Sequence, residues 1–482
     1  MIDTKQLRQK ILDLAIRGKL VPQDPNEEPA AVLLERIKAE KERLIAEGKI
    51  KRSKKSAKAS DTPHYENVPF EIPESWEWQT LGDIGKWQAG GTPSRGHKEY
   101  YGGNIPWLKT GDLNDGYITE IPEHITQDGL RNSSAKLNPK DSVLIALYGA
   151  TIGKTGILTF PASTNQACCA CTEYPAVDKL FLFFFLNQHR NIFISQGGGG
   201  AQPNISKEII VATLIPIPPL AEQKRIVVEI QRWFCLIDEI ESNKTKIENY
   251  VKQTKSKILD LAINGKLVSQ DPNDEPSIEL LKRINPDFVP CDTSHYENTP
   301  NGWTLCAVNE YVEKVTDFVA SGSFATIKNN VKYYKEPNYA LMVKTKDFQN
   351  DFSEDLTYTD KQGYDFLSNS NLFGGELILS NVGSIGKVFI VPHFNRKMTL
   401  APNAIMIRFH NDTDIEWFYY FFLSDYGKNK LRSISSATAI SKFNKTDFKK
   451  IIVPIPPQNE MKRVVEQIKR VFYIIDSISA EL

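Results

Sequence analysis

The 482 residues carry 59 Lys and Arg against 59 Asp and Glu, so no global field singles out a polyanionic partner. The longest apolar runs, 180–186 and 417–423, are too short to cross a bilayer, and the N-terminus MIDTKQLRQK lacks a secretory core. Cys168, Cys169, Cys171, Cys235, Cys291 and Cys306 contain one C-x-x-C spacing, Cys168 to Cys171, and no second to pair with it, which reads as reduced thiols in a cytoplasm.

In chain order, residues 3–20 read as a helix broken by Pro22, Pro25 and Pro29, and AVLLERIKAEKERLIAEG from Ala31 resumes a helical pattern. Lys49, Lys51, Arg52, Lys54, Lys55 and Lys58 then form an unopposed basic run, read as a solvated linker with a phosphate-contacting arm as the alternative. A first globular domain is expected over 61–219, after an N-terminal region of 1–60.

The central stretch 220–291 opens with a heptad seam. Ile226, Ile230, Trp233, Ile237, Ile240, Lys244, Ile247, Val251, Thr254, Ile258 and Leu261 step alternately by four and three. Pro218 and Pro219 mark the start and Gly265 the end, which predicts a helix from about Leu220 to Ile263. A second globular domain is expected over 292–457, and a C-terminal helix over 458–482.

The C-terminal stretch repeats the first half of the central one at an offset of 238, with Val464, Ile468, Val471, Ile475, Ile478 and Leu482 as its seam. The other half recurs at the N-terminus. ILDLAIRGKLVPQDPNEEP from Ile11 matches ILDLAINGKLVSQDPNDEP from Ile258. One copy of the helical unit is intact and the other is split between the termini. This predicts a pseudo-two-fold ring in which two antiparallel rods separate two heads and the chain ends meet.

Landmarks recur in both globular segments: HYEN at His64 and His295, Lys109-Thr110-Gly111-Asp112 and Lys344-Thr345-Lys346-Asp347, Ile152-Gly153-Lys154 and Ile385-Gly386-Lys387, and the aromatic runs from Phe181 and Phe418. Short β-branched runs between turn residues read as strands, and the aromatic runs as core helices. Each domain is therefore expected to be α+β with a mixed or antiparallel sheet.

GATIGKT at Gly149–Thr155 resembles a phosphate-cradling loop but has three residues between its glycines instead of four, and the second copy has Val388 in place of the hydroxyl. A tight glycine turn presenting Lys154 and Lys387 fits both copies. His64 with Glu66, and His295 with Glu297, lack a neighbouring Cys or His cluster and read as structural instead of metal-binding. Cys168, Cys169 and Cys171 read as core residues. No nucleophile elbow, dinucleotide fingerprint or N-P-P-aromatic tetrad of amino-methyltransferases is present, so no catalytic constellation emerges.

Polar loops flanked by basic and aromatic residues remain: 90–103, 195–207, 319–335 and 433–445. Arg on guanine, Asn or Gln on adenine and Lys on phosphate are the usual sequence-reading contacts.

PIPPLAEQKRIV, the ILDLAI-GKLV repeat, AVLLERIKAEKERLI, FEIPESWEWQTLGDI and the two IGK turns resemble the specificity subunit of type I restriction–modification systems. That resemblance covers essentially the whole chain. It implies two target-recognition domains of mixed β-sheet, separated by a long antiparallel two-helix coiled coil. Each domain would read one half of an asymmetric, bipartite double-stranded DNA site, with the helices setting the spacer. Implied partners are two methylation subunits and, through the complex, restriction subunits. S-adenosylmethionine, ATP and Mg would belong to those partners, leaving this chain without a cofactor, a metal or an enzymatic activity of its own. A heptad inserted in both rods would widen the spacer by roughly 10 Å, about 3 base pairs.

Candidate DNA contacts are Arg95, Lys98, Lys109, Tyr148, Lys154 and Gln202 in the first domain. In the second they are Lys328, Lys344, Asn381, Lys387, Ser441 and Lys442. Repeated lysines are assigned to phosphates and unrepeated residues to bases. The competing reading is a coiled-coil scaffold carrying two divergent protein- or glycan-binding heads.

Overall fold

Proline and glycine punctuate the helices where the sequence places them. The computed structural model describes residues 3–49, 68–173, 177–197, 204–291, 299–383, 385–410, 415–436 and 441–481. Helix α1 is Thr4–Ile16 and α2 is Ala30–Ala46. The first aromatic run forms α3, Lys179–Gln188, followed by α4, Arg190–Gln196, and α5, Lys207–Ala212. The long helix α6 is Leu220–Ile263, 44 residues or roughly 66 Å. Then come α7, Ser277–Ile284, α8, Ile415–Leu423, α9, Asp425–Ser433, α10, Lys445–Lys449, and α11, Gln458–Glu481.

Two helix ends carry the same cap. Gly18 and Gly265 adopt φ of 65° and 64°, and the amides of Lys19 and Lys266 reach back to the carbonyls of Leu14 and Leu261 at 2.9 and 2.8 Å. Glycine takes that left-handed conformation without the Cβ penalty other residues meet.

The chain divides into two compact units, 1–243 and 244–482, with the boundary inside α6. Unit 1 holds a five-stranded sheet in the order Gly85–Ala89, Cys168–Glu173, Val143–Ala146, Thr155–Leu158 and Gly116–Ile118. Its four-stranded sheet runs His124–Ile125, Tyr101–Leu108, Ala162–Thr164 and Leu137–Asn138. Unit 2 holds two four-stranded sheets. One is Lys314–Asp317, Ala404–Arg408, Leu377–Ser380 and Val388–Ile390; the other is Tyr358–Thr359, Ala340–Val343, Lys397–Leu400 and Asn371–Leu372. Parallel and antiparallel pairs coexist in three of these four sheets, and the sheet that begins with Lys314–Asp317 is antiparallel throughout, within the expectation of mixed or antiparallel sheets. A two-stranded ribbon, Glu77–Thr80 with Leu214–Ile217 or Thr304–Ala307 with Ile452–Ile455, leads into α6 or α11.

The aromatic helices are core elements. Phe181, Phe185, Phe418, Phe421 and Phe422 are at most 2% exposed, and Cys168, Cys169 and Cys171 are buried in their strand.

In each unit the entering and leaving helices pack antiparallel, through the same contacts. In unit 1 Arg8 pairs with Asp238 at 2.5 Å and lies over Phe234 at 5.0 Å. In unit 2 Lys255 pairs with Asp476 at 2.5 Å and lies over Phe472 at 5.0 Å. Nearer the heads, Arg225 binds Glu27, and Arg463 binds Asp274 at 2.7 Å. The indole of Trp76 donates to Glu222 at 2.9 Å, and that of Trp303 to Glu460 at 3.0 Å. Both carboxylates are 1% exposed. The helix pair of one unit thus repeats these contacts of the other, each pair joining half of the intact copy to half of the split one.

The heptad seam is only partly buried. Ile226, Ile230 and Ile237 are sealed, but Trp233 and Ile240 are each 40% exposed. A single partner helix covers one narrow stripe, and α1 packs there through the charged Arg8 beside Phe234. Of the basic run, Lys49 is opposed by Glu47 at 2.7 Å, and 51–58 lie outside the described residues. Both HYEN landmarks, and the meeting of Met1 with Leu482, also fall outside them.

Candidate nucleic-acid interface

The glycine turn is built the same way in both units. In unit 1 the buried strand Val143–Ala146 runs out through Leu147 and Tyr148 and returns as Thr155–Leu158. Gly149 and Gly153 close the turn at φ of 79° and 75°, with Gly153 N–H donating to Ala146 O at 2.9 Å. In unit 2 the turn is one residue shorter, with Gly383 and Gly386 at 75° and 91°. An L side chain there would be strained, which explains the glycines without invoking nucleotide phosphates. Lys154 is half-buried and Lys387 exposed, each beside its turn.

A polar loop docks on each turn. Ile205 N–H donates to Leu147 O at 2.8 Å, and Tyr148 bridges Asn204. In unit 2 Phe443 N–H donates to Asn381 O at 3.1 Å, Gly383 N–H to Ser441 O at 2.9 Å, and Val382 bridges Lys442. The Asn381 amide also donates to Phe443 O at 3.2 Å, tying loop to turn. Of the sequence-derived candidates, Tyr148 and Lys154 come together in unit 1, and Asn381, Lys387, Ser441 and Lys442 in unit 2. Gln202 lies outside the described residues.

The remaining candidates lie away from these turns. Arg95 and Lys109 converge on Glu123, each at 2.7 Å, and Arg95 lies over Tyr101 and Trp107 at 4.5 and 5.2 Å. Burial pushes the Glu123 carboxyl up, but the bonds from Lys109 and Arg95 outweigh it and hold it below its usual range. Lys98 is exposed at the start of a short turn, Lys98–Tyr100, and Lys328 is exposed on Phe324–Asn330.

The repeated KTGD and KTKD landmarks form one structure. The backbone N–H of Lys109 and of Lys344 each donates to the aspartate three residues on, at 2.8 Å. The Lys344 ammonium is spent inside the fold, on Asp355 O at 2.8 Å and Thr357 Oγ1 at 2.9 Å.

Sequence reasoning missed Arg190 and Lys428, whose stems cover Gly153 and Gly386. The offset of 238 read from the helices, which also relates Leu214–Ile217 to Ile452–Ile455, pairs these two cations when carried back to the end of each head. Among the described residues, no group of three or more His, Cys, Asp and Glu could hold a metal ion. Nor is any helix among them long and apolar enough to cross a membrane.

The family described as "Type I restriction modification DNA specificity domain" matches residues 73–250 and 310–482. The Type I restriction enzyme EcoEI specificity subunit of Escherichia coli is 27% identical, over 99% of this chain and 90% of its own length. The EcoAI specificity subunit of the same organism is 31% identical, over 58% of this chain and 55% of its own. A chain of a solved type I R-M system superposes with a TM-score of 0.61 at 16% identity, covering 86% of this chain and 94% of that one, a likeness of fold. With its two matched stretches covering most of the chain, 73–250 lying in unit 1 but for its last residues and 310–482 in unit 2, the chain belongs to the type I restriction modification DNA specificity family.

Proposed function

We propose that this chain is the non-catalytic specificity subunit of a type I restriction–modification complex, each unit reading one half of an asymmetric, bipartite site on double-stranded DNA. The observation that carries this is one backbone with two sets of side chains. The strand-to-turn bond (Ala146 N–H to Lys154 O, Ser380 N–H to Lys387 O) and the loop-to-turn bond (Ile205 N–H to Leu147 O, Phe443 N–H to Asn381 O) recur in both units, yet Tyr148 stands where Val382 stands and Asn204 where Lys442 stands. A scaffold repeated with divergent residues at its open edge suits two readers of different sequence. Nothing observed favours protein- or glycan-binding heads.

The exposed apolar residues Trp233, Leu236 and Ile240 on α6, and Tyr473, Ile474 and Ile478 on α11, suit the docking of two methylation subunits. Those partners, with restriction subunits, would supply S-adenosylmethionine, ATP and Mg, and the complex would work in the cytoplasm. Lys154 and Lys387 are the phosphate contacts, and Tyr148, Ser441 and Lys442 face the bases. Lys109 and Lys344 serve the fold first, since Glu123 and the Asp355 carbonyl hold their ammonium groups.

Single-molecule sequencing of modified adenines in the source genome tests the reading. Deleting this gene should erase one two-part, asymmetric motif while leaving other modification intact. Persistence of every motif in the deletion strain would overturn it.

A further inference from the structure

We infer that the two units grip the DNA backbone unequally at the same turn, Lys428 being a phosphate contact in unit 2 while its counterpart Arg190 is an internal staple in unit 1. This rests on the DNA-reading function proposed above. Arg190 opens α4 and Lys428 lies in α9, at matching places in the repeat. A Cβ added at Gly153 would sit 2.8 Å from Arg190 Cγ, and one at Gly386 3.3 Å from Lys428 Cγ. Each unit therefore lays the stem of a basic residue across the second glycine of its turn, beside Lys154 or Lys387.

The charged ends differ. Arg190 Nε donates to Gly153 O at 3.0 Å, and Nη2 donates to Asn187 Oδ1 at 3.0 Å and to Asp115. Asp115 itself, at a φ of 57°, accepts from Thr155 N–H at 2.9 Å. The guanidinium thus clamps the turn to the neighbouring loop, and its charge is already matched. A phosphate could reach it only by displacing that aspartate.

Lys428 has no such acid. Among the described residues it makes no ion pair, and neither does Lys387 or Lys442. The adjacent stretches outside the described residues, Ser384 and 437–440, contain no acidic residue. Unit 2 therefore sets two uncompensated cations, Lys387 and Lys428, at its turn, beside the base-facing Lys442. Unit 1 offers Lys154 there, its Arg190 being already paired with Asp115. Since each phosphate neutralised releases condensed counterions, the two turns differ in their contribution to salt dependence.

The test uses the chain assembled with its methylation subunits and a duplex carrying the motif identified from the modified adenines. Dissociation constants are measured across a salt series. Lys428→Gln should make the negative slope of log K against log salt shallower by about 0.9, one phosphate contact, and Lys428→Arg should restore it. Arg190→Gln should leave the slope unchanged while lowering the unfolding temperature. Asp115→Asn, which frees the guanidinium, should steepen the negative slope by about 0.9. A wild-type slope in Lys428→Gln, or equal losses in Lys428→Gln and Arg190→Gln, would overturn the inequality while leaving the DNA reading intact. A wild-type complex with no motif-specific, salt-sensitive binding would overturn both.

Discussion

Replacing Trp303 by Phe tests the lock that joins the second head to its helices. The indole N–H is a donor to Glu460 Oε2 at 3.0 Å, in a site where the tryptophan is 7% and the glutamate 1% exposed. Phenylalanine keeps most of the aromatic contact with Trp417, 5.5 Å away, but leaves a buried carboxylate oxygen without its donor. Losing a hydrogen bond to a charged group costs about 2 kcal/mol, and the void left by the smaller ring brings the total to about 3 kcal/mol.

Hydrogen exchange of the α11 amides reads this locally, which matters because a two-unit chain need not unfold in one step. Unit 1 is the internal control, and Trp76→Phe should reverse the pattern through Glu222. The penalty should also depend on pH. Burial raises the Glu460 carboxyl above its ordinary 4.5. The protonated form is therefore favoured in the fold, and the stability it brings is complete below 4.5 and lost as pH rises through the raised value. The indole bond serves the ionised form, so the penalty should be larger at neutral pH and shrink below 4.5. A loss under about 1 kcal/mol, or one with no pH dependence, would refute the reasoning.

Two further predictions follow from backbone geometry and burial. Gly265→Ala puts a Cβ 2.5 Å from Pro300 Cγ at a φ of 64°, so thermal denaturation should show a loss of about 2–4 kcal/mol, combining left-handed strain with overpacking. No measurable loss would mean that the cap relaxes freely. Cys235 is exposed on α6, whereas Cys168, Cys169, Cys171 and Cys306 are buried, with burial pushing the Cys169 thiol up to about 12. Iodoacetamide at mildly alkaline pH should label Cys235 rapidly and those four only after unfolding, as read by peptide mass spectrometry; rapid labelling of Cys169 in the folded chain would contradict the packing.

The frame was far more legible than the reading surface, for a physical reason. Pro218, Pro219 and Gly265 constrain backbone dihedrals directly, so the bounds Leu220 to Ile263 follow from residue type alone. The aromatic runs announce burial in the same local way. Sheet order was not legible, because the parallel pairs join short strands far apart in sequence, such as Trp107–Leu108 with Ser163–Thr164. Nor was the fate of Lys344, whose acceptors are a backbone carbonyl and a threonine hydroxyl reached by a loop's return. A lysine in a repeated motif looks the same in sequence whether it faces a phosphate or holds its own fold. The partly exposed seam misled similarly, since a heptad pattern states which residues share a stripe but not how wide a partner covers it.

What lets the heads diverge is where the locks sit. Arg8 with Asp238, Arg225 with Glu27 and Trp76 with Glu222 all involve α6, α1 or the segments just beyond them, and so do their partners in unit 2. None involves the loops at 90–103, 319–335 or 433–445. Side chains there can therefore change without disturbing the helix pair, provided the turn keeps its two glycines and the loop keeps its backbone bonds to the strand end. Tyr148 against Val382, and Asn204 against Lys442, are such tolerated changes: both pairs are held by main-chain geometry that does not depend on what the side chain is. Arg190 against Lys428 tests the limit of that freedom, because there the side chain itself is part of the turn. The staple to Asp115 in one unit and its absence in the other mean that the two turns are held by different bonds and carry different charge.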